Sequence, residues 1–121
     1  MIENKDADLS LLKDYLVSGR MYSKDEILQE LQNKQKEKDF LCLLMDDGFL
    51  IGYPCSDDAF FVSQVVNYGK KKETDNAMIY LREWAKGKGF MSILAITERK
   101  QFRALKKHGW DKLFTVISME I

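Results

Sequence analysis

Cysteine, histidine and proline are scarce in this 121-residue chain: two cysteines (Cys42, Cys55), one histidine (His108) and one proline (Pro54). A disulfide scaffold needs several paired cysteines, and a structural zinc site needs closely spaced Cys and His ligands, so both are excluded and no metal is expected. Cys42, inside FLCLLM, reads as a small buried hydrophobe. No apolar run approaches the ~20 residues that cross a bilayer, so no membrane partner is expected. The opening MIENKDADLS is charged where a secretion signal needs an apolar core, and a cytoplasmic protein is expected. Excess charge is missing too, because 19 basic residues balance 19 acidic ones. A hydrophobic share of 45% beside a charged share of 31% excludes disorder and indicates a globular chain. Its length suits a single domain, 1–121, with one core.

The neutral total hides an asymmetry. Residues 1–62 hold 13 Asp/Glu against 7 Lys/Arg, and residues 63–121 hold 6 against 12. A basic C-terminal half favours an anionic partner, such as a phosphate-bearing cofactor or nucleic acid; two solvated faces of opposite sign explain it equally well.

Periodicity then divides the chain. DLSLLKDYLV places Leu9, Leu12 and Leu16 at helical spacing behind Asp8 as cap. Ser23 to Glu26 has the form of a capping box, and Ile27, Leu28 and Leu31 continue a second helix until the charged run KQKEKD. FLCLLM and FLIGYP, joined at Asp46-Asp47-Gly48, read as a β-hairpin whose Asp-Gly step favours positive φ, with Tyr53-Pro54 ending it. AFFVSQVVN is expected to be a central strand. After YGKKKETDN, Thr74 or Asp75 is expected to cap a third helix burying Met78, Leu81 and Ala85, with Ile79 and Trp84 widening that face, and Gly87 and Gly89 closing it. MSILAI reads as a short strand buried on both faces. Thr97 then caps a helix ERKQFRALKKH that stops at Gly109. DKLFTVISMEI alternates as one final strand.

The resulting order, helix, helix, strand, strand, strand, helix, strand, helix, strand, predicts an α+β protein of mixed α/β layers. The repeated glycine-aromatic steps Gly89-Phe90 and Gly109-Trp110 fit this plan. Each glycine ends a helix, and each aromatic anchors the return into the sheet by burial.

The succession of strand, polar loop, helix ending in W-A-K-x-K-G-F, short apolar strand, helix ending in G-W and last strand resembles the C-terminal half of the GNAT superfamily, which transfers acyl groups from acyl-coenzyme A to amines. The resemblance covers residues 58–121, with DADLSLLKDYL resembling the family's first helix. It implies a central sheet with N-terminal helices, a crossover helix and a C-terminal helix-strand unit. The chain is also similar to small degenerate GNAT-like proteins of tailed bacteriophages, some of them internal to the virion.

For the site, the resemblance implies that AFFVSQVVN parts from MSILAI, and that Val65, Val66 and Asn67 lie nearest an acetyl-coenzyme A. Backbone amides of that strand would stabilise the developing oxyanion. The family's R/Q-x-x-G-x-G/A loop, which brings backbone amides up to a pyrophosphate at a helix start, corresponds to YGKKKETDN. Only Gly69 remains there; Lys70, Lys71 and Lys72 supply point charges, Thr74 and Asn76 complete the candidate contacts, and Glu73 and Asp75 oppose them. The family's asparagine and proton-donating tyrosine fall on Glu98 and Leu105. Leucine cannot donate a proton, which leaves Glu98 as candidate base through water, although a first-turn glutamate also simply complements a helix dipole. His108, just before a helix-ending glycine, suits a cation-dipole contact. Arg99, Arg103 and Lys106 form a basic stripe at helical spacing, an alternative surface for nucleic acid or an acidic protein. Two functions follow: an acetyl-coenzyme A-dependent N-acetyltransferase acting on an amine, or a noncatalytic phage-type protein that binds a host or virion protein or nucleic acid.

Overall fold

A computed structural model of the chain describes residues 1–18, 22–96, 110–113 and 116–121. Its centre is a seven-stranded sheet with the order β1 (Ile2–Glu3), β2 (Leu41–Met45), β3 (Gly48–Pro54), β4 (Ala59–Asn67), β5 (Ser92–Ile96), β7 (Val116–Glu120), β6 (Asp111–Leu113). Every neighbouring pair is antiparallel except β4 and β5, which run parallel. A parallel pair needs a crossover, and α2 (Lys71–Gly87) supplies it. The expected mixed α+β layers are the observed architecture.

One face of the sheet packs on α2. Leu41, Leu43, Leu50, Phe60 and Ile93 meet Ala77, Met78, Leu81 and Ala85 there, and Phe90 and Trp110 are buried in the same cluster. Phe90 after Gly89 thus anchors the return into β5, and Trp110 is buried ahead of β6, while Gly109 lies outside the described residues. Gly89 has φ 90, the left-handed conformation expected where the helix ends. The opposite face carries a 3-10 helix (Leu9–Tyr15) and α1 (Lys24–Lys34), closing over Cys42, Phe49, Ile51 and Val66.

Local sequence sets the entrances. The side chain of Asp8 accepts from the Ser10 N–H at 3.1 Å. At α1 the capping box is complete: Ser23 Oγ accepts from the Glu26 N–H at 3.2 Å and Glu26 Oε1 accepts from the Ser23 N–H at 3.3 Å.

Several expectations are corrected. The first helix is a 3-10 helix, and the two-residue β1 precedes it, paired to β2. The β2–β3 hairpin forms with Met45 opposite Gly48. Its turn does not use positive φ: among the described residues only Asp39 and Gly89 adopt it. Gly48 is required by proximity instead, since a Cβ there would sit 2.0 Å from the Val66 carbonyl oxygen. α2 begins one turn before the expected caps, with Lys70 as N-cap, so Thr74 and Asp75 lie inside the helix. Ile79 is 62% exposed rather than buried, because the apolar stripe on α2 is narrower than its sequence suggests. Ile93 and Ala95 of β5 are buried while Ser92 and Leu94 are half-buried. The final segment is two strands, β6 and β7, paired with Leu113 opposite Val116.

Candidate functional site

The parallel pair β4–β5 is short. Its register runs Ala59 with Ser92, Phe60 with Ile93, Phe61 with Leu94, and Val62 with Ala95, and ends there. Both strands continue, but with other partners: Gln64 to Asn67 stay on β3, and Ile96 stays on Val116 of β7. From residue 63 onward the β5-facing edge of β4 has no strand partner among the described residues. Unpaired strand backbone is a ready template for an extended ligand.

A bulge marks the same place. Across β3 and β4, Ile51 faces Gln64 and Gly52 faces Val62, so Ser63 is the extra residue. The bulge reverses the alternation of side chains. Before it, Phe60 and Val62 point to the α2 side and Phe61 to the other; after it, Val65 packs toward α2 while Val66 joins the opposite cluster. Bulges re-aim side chains and terminate pairing, and are over-represented beside active sites.

The re-aimed Gln64 side chain is 4% exposed. Its Oε1 accepts from the Val17 N–H at 2.7 Å and its Nε2 donates to the Val17 carbonyl at 3.1 Å. The segment leaving the 3-10 helix is thereby fixed to β4 directly beyond the bulge.

Past β4, Asn67 organises the connection to α2. Its Nδ2 donates to Thr74 Oγ1 at 2.7 Å and to the Lys70 carbonyl at 3.0 Å, and its Oδ1 accepts from the Gly69 N–H at 2.9 Å. Lys70 caps α2 without a side-chain hydrogen bond. A 17-residue helix therefore presents its N-terminal end, where its dipole favours an anion, beside three exposed lysines, Lys70, Lys71 and Lys72. Glu73, the acid in that first turn, is turned toward the β2–β3 hairpin, where its Oε2 accepts from the Asp46 N–H at 3.1 Å.

No family model and no characterised protein matches this chain in sequence. Solved structures match its fold. The PaiA N-acetyltransferase from Thermoplasma acidophilum, in complex with coenzyme A, superposes with a TM-score of 0.70 at 16% identity, over 99% of this chain and 98% of that one. The fold is that of the GNAT acetyltransferases. A GNAT family acetyltransferase from Elizabethkingia anophelis with acetyl-CoA bound gives 0.67 at 11% identity, over 79% of this chain and 82% of its own. An acetyltransferase of the GNAT family from Streptococcus pneumoniae gives 0.65 at 11% identity, with 99% of both chains covered.

Within this GNAT fold most of the expected site residues lie along the end of β4 and the start of α2. Val65, Val66 and Asn67 form the end of β4, and Gly69 and Lys70 the loop; Lys71, Lys72, Thr74 and Asn76 follow in the first turns of α2. Their roles differ. Val66 is buried on the face opposite α2, Val65 is half-buried against the α2-side cluster, and Thr74 is engaged by Asn67. Asn76 and the lysines are exposed. Glu98, Leu105, His108 and the stripe Arg99, Arg103 and Lys106 lie outside the described residues. Among the described residues no group of three or more His, Cys, Asp or Glu side chains could hold a metal ion, and no helix is long and apolar enough to cross a membrane. Ser63 and Gln64 were missed from sequence. Their signal is a polar pair interrupting the otherwise apolar AFFVSQVVN.

Proposed function

We propose that this chain is a cytoplasmic acetyl-CoA-dependent N-acetyltransferase acting on an amine, with a reduced phosphate-binding loop. The observation that carries this reading is the parting of β4 from β5 at Val62 and Ala95, beside the Ser63 bulge and above the open N-terminus of α2. Bound acetyl-CoA would supply the activated acyl thioester. The chain's own residues would hold it: backbone groups of Ser63 to Asn67 would pair with the amides of its pantetheine arm, and the α2 N-terminus with Lys70, Lys71 and Lys72 would take the phosphates. Thr74 and Asn76 flank that helix end, with Gly69 in the loop before it. N–H groups at the bulge donate to the carbonyl oxygen under attack. Glu98, two residues beyond β5 in sequence, would take the proton of the attacking amine through water as the C–N bond forms, and the C–S bond would break to release coenzyme A as its thiolate, protonated from solvent.

A specific observation supports a second reading. The Gly69 N–H already donates to Asn67, so the one glycine left in the loop does not offer that donor to a phosphate. This suits a noncatalytic GNAT-fold protein of phage type, which would use Arg99, Arg103 and Lys106 to bind a host or virion protein or nucleic acid. Calorimetric titration with acetyl-CoA separates the two. Saturable heat with a Kd in the range of about 1 µM to 1 mM supports the transferase. Absence of heat, with salt-sensitive binding of an anionic polymer in its place, supports the second reading.

A further inference from the structure

A cavity of about 350 Å³ lies under the β2–β3 turn, on the face of the sheet that carries the 3-10 helix. Its volume falls within the range of small-molecule pockets. The inner wall is apolar, made of Leu12, Leu44, Phe49 and Val66. Tyr15 and Tyr68 stand at the rim, 53% and 72% exposed, their rings edge to face with centroids 6.0 Å apart. Asp46 and Asp47, both exposed, complete the rim from the turn. The Glu73 carboxylate, bound to the Asp46 N–H, adds negative charge beside them.

These groups select one kind of occupant. Tyrosine faces attract a positive charge through their quadrupole, and adjacent carboxylates reinforce that attraction. A carboxylate or phosphate ligand would meet the same groups with repulsion. A bare metal ion wants three or more hard or imidazole ligands, and no such group occurs among the described residues. An apolar wall beneath a rim that attracts cations demands a hydrocarbon stem. We propose that this cavity binds a small organic cation, an ammonium group on an apolar stem, with the charge between Tyr15, Tyr68 and the Asp46-Asp47 turn and the stem against Leu12, Phe49 and Val66. The cavity lies on the face of the sheet opposite α2, but Val66 and Tyr68 adjoin the end of β4 and the loop proposed for acetyl-CoA, so its occupancy is tested without that ligand.

Three pentyl compounds of one length test it: pentylammonium, 1-pentanol and hexanoate, each titrated into the ligand-free protein and followed by NMR. Pentylammonium should shift the Tyr15, Tyr68 and Gly48 signals and saturate by about 10 mM, while hexanoate leaves them in place. Asp46→Asn with Asp47→Asn should weaken the cation at least about fivefold, and Tyr68→Leu should also weaken it. Unmoved signals elsewhere in the spectra establish that these surface variants are folded. Equal binding of 1-pentanol overturns the proposal, since the cavity would then be a plain apolar hole. Undiminished affinity in the double asparagine variant, or silence of the rim signals toward pentylammonium, also overturns it. Because acetyl-CoA is absent throughout, these results stand apart from the outcome of the acetyl-CoA titration.

Discussion

Gln64 grips Val17 by both backbone groups, accepting its N–H at 2.7 Å and donating to its carbonyl at 3.1 Å across 47 residues of chain. It is the only buried polar side chain among the described residues. Buried polar groups are kept when they specify an arrangement that apolar packing leaves open. Here that arrangement joins the end of the 3-10 helix to β4 beside the bulge. Replacing Gln64 by Met keeps the volume and removes both bonds. A loss of about 1–2 kcal/mol is expected in urea unfolding, because half-exposed Val17 can recover one partner from water. Exchange of the Val17 amide should accelerate more than that of the strand amides; unchanged exchange at Val17 would show that the clamp does not hold the segment.

The proposed phosphate contacts make a second prediction. Lys70, Lys71 and Lys72 are exposed point charges at the start of α2, so changing all three to alanine should leave folding nearly unaltered. Affinity for acetyl-CoA should fall by about tenfold or more and become less sensitive to salt. Equal affinity of the triple variant in calorimetry would move the phosphates elsewhere.

Two glycines should respond in opposite directions. A Cβ on Gly48 would stand 2.0 Å from the Val66 carbonyl oxygen and 2.8 Å from the Asn67 Cα, both backbone atoms that cannot swing aside. Gly48→Ala should therefore cost about 2–3 kcal/mol or more. Gly87, the last residue of α2, meets nothing within 4 Å and has no positive φ. Gly87→Ala should gain about 0.5–1 kcal/mol through the unfolded chain's lost freedom. Calorimetric melting of both variants provides the check, and a stabilising Gly48→Ala would contradict the close approach of β3 and β4.

Those two positions also show what the sequence made legible. The start of α2 misled, since Lys70 caps it without a side-chain hydrogen bond where Thr74 or Asp75 was expected, but its end was readable because helix ends use local chemistry: Gly89 was expected to close the helix and does so at φ 90. Ser23 and Glu26 announced their capping box for the same reason. Gly48 was read as a turn glycine, yet its need comes from β4, a strand that the hairpin sequence does not contain. The parallel pairing of AFFVSQVVN with MSILAI agrees with the crossover helix that the family resemblance implies. The candidate site can be named in the sequence as a stretch of chain, Val65 to Asn76, but its hydrogen bonds cannot. Nothing in YGKKKETDN announces that Asn67 would satisfy the Gly69 N–H, or that Glu73 would turn to Asp46. Nor does AFFVSQVVN reveal the bulge at Ser63, which needs the facing pair Ile51 and Gly52.

Alkaline pH should destabilise the fold. Burial pushes the Cys42 thiol from its usual 9.0 up to about 11. Burial also raises the Tyr53 phenol above 10.0, helped by the Glu30 carboxylate, to which its hydroxyl donates at 3.0 Å. Both folded-state values exceed the unfolded ones, so their stabilisation is complete below pH 9 and is lost as pH climbs through 9 to 11 and beyond. Urea midpoints should be level near neutrality and fall across that window, less steeply in Cys42→Ala and in Tyr53→Phe. A flat profile to pH 11 would mean that neither group is shielded as described.

The most direct test of the parted strands is an NMR titration of the backbone amides with acetyl-CoA. Binding in the gap should shift Ser63 to Asn67 and the first turn of α2 from Lys71, and protect those strand amides that face away from β3, while Ala59 to Val62, already paired to β5, change little. If those five residues stay unmoved at saturating acetyl-CoA, or if the shifts gather on β1 and β2, the gap is not an acyl-carrier site.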